Sequence, residues 1–136
     1  MNAICIGRHR ILSEHFCSFF EAAGLECTPV VGMQDGIAEV RAGSPDVVIC
    51  DYDLLQPDLL HEWGRDGRLA ELPIIAVSLT RRPEEARLVG HGPVISFLYL
   101  PAAEGDDVKS TLQSASVVAN RARASRERIN EPEARL

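Results

Sequence analysis

Asp51 is the residue of this sequence best placed to do chemistry. It closes an apolar run, Pro45-Asp46-Val47-Val48-Ile49-Cys50-Asp51, where a buried parallel strand should end and a loop begin. In an open parallel sheet, reacting groups and ligands sit at the carboxyl ends of the strands. A lone carboxylate there is a candidate phosphate acceptor or metal ligand. A second segment bears on it. The loop Gly7-Arg8-His9-Arg10 is basic where a phosphate-accepting site would need acids to hold a metal. Arg8 and Arg10 are candidate partners for Asp51, because a guanidinium stays charged and can engage both carboxylate oxygens.

The basic loop also precedes a helix start, and helix N-termini favour anions. A bound phosphate- or nucleotide-bearing ligand is one reading of it. A solvated basic loop, partly neutralised by Asp51 and Asp53, is the other. No Gly-x-Gly-x-x-Gly or Walker pattern strengthens the ligand reading. His9, His15, His61 and His91 show no ligand spacing. Cys5, Cys17, Cys27 and Cys50 are irregularly spaced without a Cys-x-x-Cys pair, so reduced, space-filling thiols are expected rather than a zinc or thiol-redox site. No metal or cofactor is expected.

Ala3 to Ile6 is a short, continuously apolar run of the kind buried in parallel sheets. Ile11 to Ala23 has helical spacing, with Ile11, Leu12, His15, Phe16, Phe19 and Phe20 on one face and Gly24 as the left-handed stop. Leu25 to Val31 reads as a second strand, and Pro29 within it points to an edge position or a bulge. Gln34 to Ala42 is a helix through Ile37, Val40 and Arg41, and Asp46 to Cys50 is the third strand. After an Asp51–Pro57 loop, Leu59, Leu60 and Trp63 mark a helix weakened by Gly64 and Gly67. Ile74 to Val77 is a fourth strand, Pro83 to Val89 a short helix, and Val94 to Tyr99 a fifth strand. Asp106 to about Arg128 is a last helix with Val108, Leu112, Ala115, Val118 and Ala119 in one stripe.

Five strands alternating with five helices give an α/β doubly wound parallel sheet, flavodoxin-like, with order 2-1-3-4-5 and helices on both faces. The switch point then falls between the first and third strands. The loops carrying Arg8 and Asp51 should lie side by side.

The chain of 136 residues suits a single domain, and 46% apolar with 25% charged residues is ordinary for a globule. No stretch has membrane-spanning length, and Met1-Asn2 leads directly into a strand, so no membrane association and a cytoplasmic location are expected. A net charge of −6 argues against direct nucleic-acid binding.

At this point the chain resembles the receiver domain of bacterial two-component response regulators across residues 2 to about 120. The matching residues are Pro45 to Asp51, Leu72-Pro73-Ile74-Ile75-Ala76-Val77-Ser78 and Phe97-Leu98-Tyr99-Leu100-Pro101, with Glu21-Ala22-Ala23-Gly24 and Gln34-Asp35-Gly36 in support. The resemblance implies a CheY-like fold and a phosphoryl acceptor at Asp51. It places an Mg²⁺-holding acidic pair at Gly7 and Arg8, a carbonyl ligand at Asp53, a phosphate-sensing hydroxyl at Ser78, an aromatic rotamer switch at Phe97 and a lysine at Leu100. Acceptor and hydroxyl are present; the acidic pair and the lysine are not. Mg²⁺ is usually bound through carboxylates, and phosphoryl transfer relies on cations to offset developing charge. The resemblance therefore implies a degenerate receiver, non-enzymatic, in which Asp51 is a vestigial acceptor. Asp51 either pairs with Arg8 or Arg10, is a plain solvated relic, or still accepts phosphate.

Receivers commonly pair through their fourth helix, fifth strand and fifth helix (the α4-β5-α5 face), and Leu98, Tyr99 and Leu100 add apolar character there, so a homodimer through that face is expected. Residues 121–136 begin as a polar helical stretch without an apolar stripe and stop at Asn130-Glu131-Pro132-Glu133. That composition suggests a linker from a 1–120 domain toward a C-terminal effector, and resembles the connector of transcriptional regulators acting on sigma-54 polymerase; the other reading is the frayed end of a stand-alone domain.

Overall fold

Short apolar runs become strands here because helices cover both faces of the sheet and leave those side chains no access to water. The computed structural model describes residues 1–88, 94–102, 108 and 110–113. Its strands are β1 (Asn2–Gly7), β2 (Glu26–Val31), β3 (Val47–Asp51), β4 (Ile74–Ser78) and β5 (Val94–Tyr99). All pair in parallel, in the expected order β2-β1-β3-β4-β5. The edge strand β2 holds Pro29, as an edge permits.

Three helices are fully described: α1 (Arg10–Glu21), α2 (Met33–Gly43) and α3 (Pro57–Arg65). Side chains alternate between the two faces of the sheet. Ala3, Cys5, Val47, Ile49, Ile75, Val77 and Leu98 pack with α1 and with Val108 and Leu112 of a last helical segment. Ile4, Ile6, Val48, Cys50, Ile74 and Ala76 pack with Val40 of α2 and with Leu60 and Trp63 of α3. The sandwich is thus doubly wound, with β3 buried along its whole length.

Two expectations are corrected. The buried face of α1 is Leu12, Ser13, Phe16, Cys17 and Phe20, whereas Ile11 is 76% exposed and His15 is exposed. The helix is turned so that Ser13 can bridge the sheet. Its hydroxyl accepts from Gly7 N at 2.9 Å and donates to Val30 O at 2.6 Å. Of the helix expected at Pro83–Val89, the described residues to Leu88 form a 3₁₀ turn, Glu85–Arg87, in which Glu84 O accepts from both Arg87 N and the Tyr52 hydroxyl. Val89 to Pro93, most of the last helix, and the 121–136 tail lie outside the described residues. No helix among the described residues is long and apolar enough to cross a membrane.

Candidate functional site

The strand order brings the β1 and β3 carboxyl ends together at the switch point, and this sets the geometry around Asp51. Asp51 is 3% exposed. Its Oδ1 accepts the Asp53 amide at 3.0 Å, capping the 3₁₀ turn Tyr52–Leu54. Its Oδ2 accepts from Arg8 Nε at 2.6 Å. Arg8 also reaches Asp53, with Nη1 3.4 Å from Oδ2, and Arg81 Nη2 stands 3.7 Å from Asp53 Oδ1. Both carboxylates are therefore held by guanidinium groups.

Of the two candidate arginines, only Arg8 meets Asp51. Arg10 pairs along its own helix with Glu14, Nε to Oε1 at 3.1 Å, because its position in the first turn of α1 points it along the surface. His9 lies between them as the α1 N-cap, its Nδ1 accepting from Leu12 N at 3.2 Å. The helix start is thus partly satisfied by its own side chain.

The remaining site positions give the same picture. A Cβ on Gly7 would lie 2.7 Å from both Ser13 N and Ser13 Oγ, so no acidic side chain fits there without rearrangement. The Ser78 hydroxyl donates to the Arg81 carbonyl and so is committed to its own loop. Leu100 is 7% exposed and belongs to the α1-side core, where a lysine would carry a charge into apolar surroundings. Leu98 is buried in the same core, so of the three residues expected to enrich the outer face only Tyr99 is partly open, with the Arg82 guanidinium 5.0 Å above its ring. Phe97 packs against the opposite core and meets Tyr52 edge-on, ring centroids 6.4 Å apart.

Receivers of this fold hold Mg²⁺ beside the acceptor. The donor set here does not fit that ion. Both Asp51 oxygens are engaged, Arg8 and Arg81 stand against Asp51 and its neighbour Asp53, and a side chain on Gly7 would run into Ser13.

Tyr52 went unremarked in the sequence because an aromatic after a strand reads as packing. Its hydroxyl donates to Glu84 O at 2.8 Å and accepts from Glu84 N at 3.1 Å and Arg87 Nε at 3.0 Å. Arg87 lies 4.6 Å above the Tyr52 ring and donates to the Tyr52 carbonyl at 3.2 Å. The β3 loop and the β4 loop are thereby tied together within reach of Phe97.

The fold also gathers residues that spacing kept apart. The four cysteines are free, as expected, and Cys5, Cys17 and Cys27 bring their Sγ atoms within 4.8 Å of one another. Burial pushes the Cys17 thiol up to about 11, and the hydrogen bond with Cys5 holds Cys27 below its ordinary value.

No family model matches the sequence, and no curated protein matches it. Solved structures do. NtrX from Brucella abortus, in complex with ADP, aligns with a TM-score of 0.74 at 17% identity, covering 96% of this chain and 30% of NtrX, so the chain spans under a third of that protein. The chemotaxis response regulator CheY4 of Vibrio cholerae aligns at 0.65 and 14% identity, over 84% of this chain and 97% of CheY4. A CheY-like response regulator receiver domain from Methylobacillus flagellatus aligns at 0.66 and 18% identity, over 85% and 98%. With the sheet order, these likenesses show that the chain has the fold of response regulator receiver domains.

Proposed function

We propose that this is a non-catalytic signal-transduction domain, a degenerate receiver that acts through protein–protein contact without Mg²⁺-dependent phosphorylation. The observation that carries the reading is the 2.6 Å contact between Arg8 Nε and Asp51 Oδ2. A guanidinium in that place supplies a fixed positive charge to the carboxylate and occupies the direction from which a metal would approach. The Tyr52–Glu84–Arg87 ties and the Ser78 bond to its own loop support a single fixed arrangement of the β3 and β4 loops.

The partners in this reading are a C-terminal effector beyond the polar 121–136 stretch, transcriptional in kind, and a second copy of the chain meeting around β5. The alignment to under a third of NtrX supports a receiver attached to further domains. A cytoplasmic setting, with no membrane or nucleic-acid contact by this domain, goes with that role. The test is incubation with acetyl phosphate, or with beryllofluoride, in the presence of Mg²⁺. The expected result is no phosphoryl mass gain and no change in Trp63 fluorescence. Stoichiometric labelling of Asp51 would overturn the reading.

A further inference from the structure

Cys5 on β1 and Cys27 on β2 face the same side of the sheet, since Ala3 pairs with Cys27 and Cys5 with Pro29. Cys17 descends on them from the buried face of α1. The three sulfurs therefore close a triangle between a helix and two strands, every pair within 4.8 Å. Cys5 and Cys17 are buried, while Cys27 is partly open on the edge strand and gives a route from solvent. Glu21, one turn beyond Cys17 on α1, acts electrostatically on both Cys17 and Cys27 and adds negative potential at that opening.

Two kinds of chemistry use adjacent thiols, and for Cys5 and Cys27 the backbone separates them. Cys5 and Cys27 are offset by two residues on neighbouring strands. At about 4.8 Å between strands and about 3.3 Å per residue, their Cα atoms stand roughly 8 Å apart. A disulfide spans at most about 7 Å between Cα atoms, so that bond would need the strands to shift. A metal needs no such approach. Three sulfurs about 2.3 Å from a tetrahedral Zn²⁺ lie roughly 3.8 Å from one another, which side-chain rotation from the present spacing can reach.

We propose that Cys5, Cys17 and Cys27 form a binding site for a thiophilic divalent cation of the Zn²⁺ type, with water entering beside Cys27 as the fourth ligand. Three Zn–S bonds form, and the protons displaced from the thiols pass to solvent, so binding strengthens as pH rises. The ion would fasten α1, β1 and the edge strand β2 to one another, with Cys5 level with Ile49 of β3 and Cys27 nearer the amino ends of the strands. Its binding is independent of the phosphorylation reading.

The test titrates the reduced chain with Co²⁺ as a spectroscopic probe and with Zn²⁺ in competition. The expected result is one Co²⁺ per chain with the intense visible bands of a tetrahedral thiolate site, displaced by one equivalent of Zn²⁺, together with a Zn²⁺-dependent rise in Tm. Cys27 is partly exposed, so C27S least endangers the core; its folding is checked by circular dichroism. C27S should lose the spectrum and weaken Zn²⁺ by more than about a hundredfold, beyond the usual loss from an outer-sphere change, while C50A, in the opposite core, should keep both. Absence of a tetrahedral spectrum in the reduced wild type, or its persistence in C27S, would overturn the proposal.

Discussion

Ser13 Oγ accepts from Gly7 N at 2.9 Å and stands where a side chain on residue 7 would have to go. The backbone N of Ser13 is equally near, 2.7 Å from a Cβ built on Gly7, so trimming Ser13 to alanine would not make room. An acidic side chain at residue 7 therefore meets an obstruction of packing. Arg8→Asp combined with Leu100→Lys restores two residue types but leaves this obstruction in place. That double variant should not gain tight Mg²⁺ binding by calorimetric titration. Gly7→Asp should destabilise the fold by about 1–3 kcal/mol in urea, the usual penalty for overpacking. A Gly7→Asp chain as stable as the wild type would show that the α1 start yields easily.

Removing Arg8 leaves a nearly inaccessible carboxylate with one partner fewer. The Arg8 side chain is 46% exposed, so solvent screens the pair and the loss falls below that of a fully buried one. Arg8→Ala should lower stability by about 1–2 kcal/mol in urea denaturation. With Asp51→Asn added, the further loss should be smaller than Asp51→Asn causes alone, since the residues share one interaction. Simple additivity would mean that the contact contributes little.

How much of this was legible in the sequence depended on the range of the interactions. β1, β3 and β4 announced themselves because a strand buried on both faces needs only a run of Val, Ile, Cys or Ala. Gly24, at φ 98°, was visible as the stop of α1 for an equally local reason. Ser13 was not: apolar periodicity sends a serine to solvent, and its burial depends on backbone groups at Gly7 and Val30 that only the folded chain supplies. The 85–87 turn is tied to Tyr52, 32 residues away from Glu84, by a contact that no local pattern announces. The triangle of Cys5, Cys17 and Cys27 arises from sheet register and helix placement, which no spacing rule encodes. Arg8 and Arg10 were equal candidates until the helix start fixed their directions.

Asp66 makes stability depend on acidity at a place remote from the site. Its Oδ1 accepts the amides of Arg68 and Leu69 at 3.0 and 3.1 Å, and its Oδ2 meets Arg41 of α2 at 2.8 Å. The amides of Leu69 and Arg68 first, and Arg41 after them, hold this carboxyl below its ordinary 3.8. A carboxyl depressed in the folded state stabilises above its unfolded value and loses that contribution as pH falls through the folded one. Asp66→Asn should therefore flatten the decline in urea midpoint below about pH 4. Equal acid slopes for wild type and variant would assign that decline to other carboxyls.

Tyr52 should decide how firmly the β4 loop is held. One hydroxyl serves three bonds, to both backbone groups of Glu84 and to Arg87 Nε, so its hydrogen-bonding capacity is full. Tyr52→Phe keeps the ring against Phe97 and beneath Arg87 but releases all three. The global loss should be about 1–2 kcal/mol in urea, since an exposed loop recovers part of its bonding from water. The local effect should be larger: amides from Glu84 to Leu88 should exchange hydrogen at least tenfold faster, roughly the factor that 1.4 kcal/mol of easier opening gives. Unchanged exchange over Glu84–Leu88 in Tyr52→Phe would place the restraint in packing rather than in the hydroxyl.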